Sequence, residues 1–366
     1  MRTADHQPAR RPRSRVIRPS ANGRATLEQV AQAARVSRAT ASRVVNGDQR
    51  VGGAARAAVE SAIRELGYVP NRAARSLVTR RSDSVAVVIP EPTSQLFGDP
   101  FFPRVLRGVS DALAEDEMQL VLLMPQGRAD ETRVERYLAA GHVDGVLLIS
   151  LHGSDPLPRD LQTRGIPVVV GGRPPGAGIT YVDVDNRRGA GSAVQHLIGL
   201  GRRHVATIAG PQDMPAGADR LAGYHETLAA AGRDLDEKLV EIADFTMDGG
   251  RAAMERLLER SPGLDAVFVA SDLMAIGALG ALQAAGRSVP DDVAVVGFDD
   301  SPIASSSVPA LSSVRQPIEE MGREMTRLLM RAIREPGDPP RHVILDTSLV
   351  ARDSSAGGTG GDAAGA

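Results

Sequence analysis

The stretch TLEQVAQAARVSRATASRVVNG, residues 26–47, decides how the rest of the chain is read. Thr26 with Gln29 three residues later has the spacing of a capping box. Leu27, Val30, Ala31 and Ala34 recur at helical spacing and form one apolar face. Arg35-Val36 makes a tight turn, and Ser37 can then cap a second helix over 38–45. A third helix, over about 54–66, would bury Val59, Ile63 and Leu66. Three short helices with a small-residue first pair predict a helix-turn-helix, whose second helix enters the DNA major groove by its N-terminal end.

The charge distribution agrees with a nucleic-acid partner for this end. The chain has 366 residues and a net charge of −2, but residues 1–81 hold 17 Arg against 5 acids. The remainder holds 26 basic and 40 acidic residues. A basic head on an acidic body suits a polyanion at the head. Lys238 is the only Lys, a bias that genome composition explains as well as function does, so the asymmetry carries the argument and the Arg preference does not. Residues 1–24 are Pro- and Arg-rich without apolar periodicity, the composition of a disordered basic arm. They lack the apolar centre of a secretory signal, and no run of eighteen apolar residues occurs, so no membrane span and a cytoplasmic location are expected. With no cysteine, neither a disulfide framework nor a Cys-ligated metal site is available. No cofactor is expected.

From Ser84 onward, apolar runs alternate with amphipathic segments. Strands are predicted at 85–90, 119–125, 144–150, 167–172, 204–210, 240–245, 265–271 and 293–299. Helices are predicted at 103–116, 131–140, 187–200, 217–231, 249–260 and 272–285. Continuous Val/Ile/Leu strands between helices argue for parallel sheets covered on both faces. About 270 residues of this alternation exceed one sheet and suggest two similar lobes. Ligands of such sheets sit beyond the carboxyl ends of the strands. The domain reading is an arm (1–24), a helix-turn-helix domain (25–69), a hinge (70–83), a two-lobed domain (84–353) and a disordered tail (354–366). That tail has no heptad pattern for a helix bundle.

The 26–47 segment resembles the head of the lactose-repressor (LacI/GalR) family, and the similarity runs through nearly the whole chain. The resemblance implies an all-α helix-turn-helix head plus an α/β two-lobed, periplasmic-binding-protein-like sensor domain. It also implies base reading by Arg38, Ala39 and Arg43, where Arg can hold guanine bidentately and Ala offers a methyl contact. Thr26, Ser37, Thr40, Ser42 and Asn46 match positions that touch phosphate and orient without specifying sequence. In the hinge, Leu77 matches a side chain that wedges into the minor groove, with Ala74 the small residue that lets two hinges approach. Two departures stand out. Arg35 occupies a turn position usually held by Gly, and Val51-Gly52-Gly53-Ala54 lacks the hydroxyls that usually precede the third helix.

For the sensor, the same resemblance points to Phe101 and Phe102 in Asp99-Pro100-Phe101-Phe102, and to Arg220, Phe245 and Asp272 as effector-binding residues. An Arg fork and an acceptor carboxylate suit a polyhydroxylated ligand. Each residue also has a structural alternative: Asp272 a helix cap, Arg220 an ion-pair partner, the two Phe lobe packing. Asp185-Asn186 and Gly297-Phe298-Asp299-Asp300 match family motifs that organise loops between lobes or touch ligand. Gly172 stands where many relatives carry Asp, so the effector need not be the simplest sugar.

Three function classes compete. A transport-type binding protein would share the lobes but not the head. An enzyme would need a catalytic constellation, and no GxxxxGK[ST], GxSxG or HExxH occurs. A regulator accounts for head, hinge and lobes together. The expected partners are double-stranded operator DNA, a second copy of the chain in a homodimer, and a small-molecule effector, a sugar first and a nucleobase second.

Overall fold

A computed structural model describes residues 25–48, 50–69, 81–176 and 178–355. The chain divides into two compact units between Arg81 and Ser82.

The first unit has helices α1 (Leu27–Ala33), α2 (Arg38–Val45) and α3 (Gly53–Leu66). The capping box forms in both directions: Thr26 N donates to Gln29 Oε1 at 2.8 Å, and Gln29 N donates to Thr26 Oγ1 at 3.3 Å. Ser37 Oγ accepts from Thr40 N at 3.0 Å and starts α2. Val30, Ala41, Val44, Val59 and Ala62 make the buried centre, with Leu27, Ile63 and Leu66 packed around it. Arg35 takes φ +54°, a left-handed backbone that costs a non-glycine residue about 1 kcal/mol. Gly52 caps α3 without any side-chain hydrogen bond, the consequence of the missing hydroxyl.

The second unit opens with β1 (Ser84–Val88), α4 (Thr93–Gly98), α5 (Phe101–Glu115), β2 (Gln119–Leu123) and α6 (Arg128–Ala139). Next come β3 (Gly145–Ile149), α7 (Leu157–Thr163), β4 (Val168–Gly171) and β5 (Thr180–Val184). The second lobe follows with α8 (Asn186–Gly199), β6 (Val205–Ala209), α9 (Pro215–Ala230), β7 (Val240–Ile242) and α10 (Met247–Arg260). It continues with β8 (Ala266–Val269), α11 (Asp272–Ala284), β9 (Ala294–Asp299), α12 (Pro302–Ser306) and β10 (Ser312–Arg315). Last come α13 (Ile318–Arg334), β11 (His342–Leu345) and β12 (Ser348–Val350).

The two sheets have orders β11-β5-β4-β3-β1-β2 and β12-β10-β9-β8-β6-β7. Every pairing is parallel except β10 with β12. Strand alternation sends Val85, Val87 and Ile89 into one cluster with α5 and α13, and Ala86 and Val88 into another with α6 and α7. Burial on both faces is why these strands read as unbroken apolar runs.

The chain crosses between lobes three times: β5 to α8, β10 to α13, and β11 to β12. Helix α13 thereby returns to the first lobe and lies against α5 at a glycine. A Cβ on Gly108 would stand 2.0 Å from Glu319 O, so no other residue permits this approach.

Four strands, β5, β10, β11 and β12, lie outside the eight expected from sequence, and four helices, α4, α7, α12 and α13, lie outside the expected helical stretches. Two boundaries also move. Ser354 and Ser355 are buried parts of the second lobe, not tail: Ser354 Oγ donates to Val295 O at 2.7 Å, and Ser355 Oγ meets His196 Nε2 at 2.8 Å. Small hydroxyl side chains can be core when their bonds are satisfied. Ser82 and Asp83, expected in the hinge, bond through their backbone N–H groups to the Asp144 carboxylate.

Candidate functional site

On α2, Arg38, Ala39 and Arg43 are exposed while Ala41 and Val44 face the core, so the three expected base readers point outward. Arg38 Nε meets Glu28 Oε1 at 2.6 Å, both side chains largely exposed. Such a pair is worth little and leaves the guanidinium available. Ser37 and Thr40 share a hydroxyl contact at 2.9 Å, and Asn46 Nδ2 reaches Ser42 Oγ at 3.4 Å. Together with the Thr26 cap, the expected phosphate contacts are also the helix-capping and helix-lining polar groups of the head. Ala74 and Leu77 lie outside the described residues.

In the second unit the strand ends converge on a buried polar hub. Arg220, on α9, donates from Nε to Asn186 Oδ1 at 2.9 Å and from Nη1 to Ala270 O at 2.6 Å. Its Nη1 lies 3.7 Å from Asp299 Oδ1. Asp299 in turn accepts from Gln316 Nε2, and Asp183 Oδ1 accepts from Asn186 Nδ2 at 3.0 Å. Asn186 and Gln316 stand at two of the three crossovers, so the hub joins both lobes where the chain passes between them. All of these side chains are buried.

The hub holds more carboxylate than cation. Burial pushes Asp299 well above the ordinary carboxyl range, and Asp99 and Asp272 each up to about 6. Burial acts on Arg220 in the opposite sense, countered first by Asp299 and then by Asp183, Asp272 and Asp99. A guanidinium set among several carboxyls brings donors and acceptors together in one place, which is hydroxyl chemistry.

Aromatic rings complete the setting. The Arg220 guanidinium lies 3.7 Å from the centre of the Phe298 ring and 5.9 Å from that of Phe245. Phe245 sits at φ +64°, and its ring covers Gly210, where a Cβ would come within 2.2 Å of Cζ. Ser150, Asp299 and Asp300 also carry positive φ at cleft-facing strand ends. Strained backbone collects where side chains must be aimed.

The five expected effector residues are thus treated differently. Arg220 and Phe245 come together. Phe101 is half-buried, edge-on to Phe102 at 5.4 Å, while Phe102 is buried in the first lobe's core. Asp272 begins α11 but Ser271 caps it. Its Oδ2 accepts from Ser301 N at 2.7 Å and its Oδ1 from Ser313 Oγ at 2.5 Å. Asp183 and Gln316 escaped sequence reasoning because each lies on or beside an unpredicted strand. Among the described residues, no group of three or more His, Asp or Glu is placed to hold a metal ion, and no helix is long and apolar enough to cross a membrane.

Comparison with known proteins gives two family matches. Residues 26–71 match the bacterial regulatory proteins of the lacI family, and residues 194–355 match a periplasmic binding protein-like domain. The HTH-type transcriptional regulator CelR of Thermobifida fusca is 53% identical over 334 residues, 90% of this chain and 98% of that protein. The ribose operon repressor of Escherichia coli K12 is 34% identical over 337 residues, 90% of this chain and all of that protein. Among solved structures, a CelR–cellobiose complex is 51% identical with a TM-score of 0.73, covering 91% of this chain and 100% of that one. The lac repressor dimer bound to operator and the anti-inducer ONPF is 25% identical with a TM-score of 0.80, covering 91% and 99%.

Proposed function

The chain belongs to the LacI family of bacterial regulatory proteins and is a DNA-binding transcriptional regulator, and from that premise we propose that its effector is a cellobiose-type disaccharide. The observation that carries the sugar assignment is the 51% identity to a cellobiose-bound structure over 91% of the chain. The hub supports it chemically. Arg220 offers donors and the Asp99 carboxyl an acceptor to hydroxyl groups, and the Phe245 ring offers an apolar face for a pyranose ring.

Within this reading Arg220, Phe245 and Phe101 face the sugar. Phe102 supports Phe101 from the core, and Asp272 sets the Ser301 and Ser313 positions. The protein acts as a homodimer on a near-palindromic operator, Arg38, Ala39 and Arg43 reading bases in each half-site. Thr26, Ser37, Thr40, Ser42 and Asn46 steady the head on phosphate, and Ala74 and Leu77 serve the hinge. Sugar binding and operator binding are linked, each changing the other's affinity by one factor.

Calorimetry with cellobiose and with ribose, followed by operator titration with and without each sugar, tests the proposal. Cellobiose is expected to bind and to change operator affinity, with ribose far weaker in both. Absence of cellobiose binding alongside intact operator binding would overturn the sugar assignment.

A further inference from the structure

Away from the hub, the lobes meet a second time through exposed polar groups. Glu91, just after β1, is buried, its side chain 5% exposed. Its Oε1 accepts from Ser150 Oγ at 2.5 Å and meets His152 Nε2 at 3.1 Å. The other ring nitrogen, Nδ1, reaches across to Asp213 Oδ2 in the second lobe at 2.9 Å. Next to it, Gly153 N donates to Asp213 O at 2.8 Å. One loop of the first lobe therefore grips one residue of the second through side chain and backbone together.

Facing a carboxylate on each side, the imidazole must donate from both nitrogens, and Glu91 first and Asp213 second hold its pKa up at about 9. The two partners are unequal. Glu91 is desolvated and belongs to the same lobe, so it keeps His152 in place. Asp213 is 53% exposed and can exchange His152 for water at little cost. Nearby, Arg173 of the first lobe pairs with Asp219 of the second. A cleft of about 530 Å³, lined by Gly153, Arg173, Asp213 and Asp219 among others, separates the two attachments. Along this face the lobes are held by polar points around an open cleft.

We propose that the grip of Asp213 on His152 and Gly153 is a releasable clasp that sets the balance between two lobe arrangements and hence the effector concentration needed for a response. The clasp touches none of Arg220, Phe245 or Phe101. It acts through lobe position, and its part in the sugar response rests on the regulator reading given above. Weakening it changes the fraction of molecules in each arrangement, and apparent sugar affinity scales with that fraction.

The absence of cysteine makes the test direct. Spin labels on full-length R128C/L235C protein report the separation of the lobes, with Arg128 in the first and Leu235 in the second, both exposed. Asp213→Ala is the informative variant, because His152→Ala would strand buried Glu91 and risk misfolding. Asp213→Ala is expected to shift or broaden the separation while the melting temperature stays close to the parent's, and Asp213→Asn, which keeps an acceptor, to fall between. The cellobiose concentration for half-maximal change in operator affinity is expected to move roughly two- to fivefold. A separation identical in parent and Asp213→Ala overturns the clasp. A parent that ignores cellobiose condemns the effector assignment instead, and the separation measurement still decides the clasp.

Discussion

The hub around Arg220 and the clasp around His152 are both charged junctions between the same two lobes, yet they obey opposite energetics. In the hub every charge is desolvated, so each partner that is removed leaves another charge buried without compensation. In the clasp, water waits beside Asp213 and takes over when the contact opens. A junction of the first kind fixes where the lobes pivot. One of the second kind can be made and broken within the small free energies that a ligand supplies. The contrast teaches that a two-state sensor needs both, and that burial rather than charge tells them apart.

The largest effect that would break the contrast is at Arg220. Arg220→Ala leaves Asp299 and its neighbours without a cation and is expected to cost about 3–5 kcal/mol, a fall of roughly 6–20 °C in melting temperature. A variant melting within a degree or two of the parent would show that the hub does not bind the pivot. Next is Gly210→Ala. Its methyl would stand 2.2 Å from Phe245 Cζ and must displace the ring. Cellobiose affinity is expected to drop about tenfold or more, read by calorimetry, with sugar-free operator binding kept. Unchanged affinity would remove Phe245 from the sugar site.

Proton linkage sharpens the comparison further. Asp99 carries a folded pKa of about 6 against an ordinary 3.8, so the native state holds the proton more tightly. Its stabilising contribution is full below pH 3.8 and is lost as pH rises through 6. Asp99→Asn is expected to flatten part of that fall in denaturation midpoints, the remainder belonging to Asp272, Asp299 and Asp183, whose carboxyls burial also pushes up. The smallest effect is at the clasp. His152, raised from 6.5 to about 9, contributes stability present below pH 6.5 and lost as pH rises through 9. Asp213→Ala is expected to cost only about 0.2–1 kcal/mol and to pull the upper end of that window down. A loss as large as that of Arg220→Ala would erase the distinction between the junctions.

Much of this architecture was legible before any coordinates. Strands such as VAVV and VLLI are buried on both faces and announce themselves as apolar runs, and the capping box and Ser37 cap mark the first unit's helices residue by residue. TYVDV and SSVR did not announce themselves, because β5 carries hub residue Asp183 and β10 buries the Ser312 and Ser313 hydroxyls, which find partners only in the folded lobe. Helix α13 carries a helical apolar pattern in Ile318, Met321, Met325 and Leu329, so this element too is written in the sequence. Arg220 and Phe245 were accessible because their motifs carry them. Glu91, His152 and Asp213 were not, since nothing local in three separate loops indicates that they meet.

The triple crossing of the chain bears on how the protein is made. The first lobe takes its edge strand β11 and the helix α13 from residues 318–345, translated after the whole of β6–β10. Until then, on the ribosome, Val105, Val109 and Leu147 lack the Met321, Met325 and Leu329 side chains that complete their cluster. Neither lobe is complete before the last crossing, because the second lobe in turn takes its edge strand β12 and the buried Ser354 and Ser355 from residues 348–355. A transcript truncated anywhere before residue 318 would release a product with an open apolar flank, a substrate for chaperones and proteases rather than a half-length regulator.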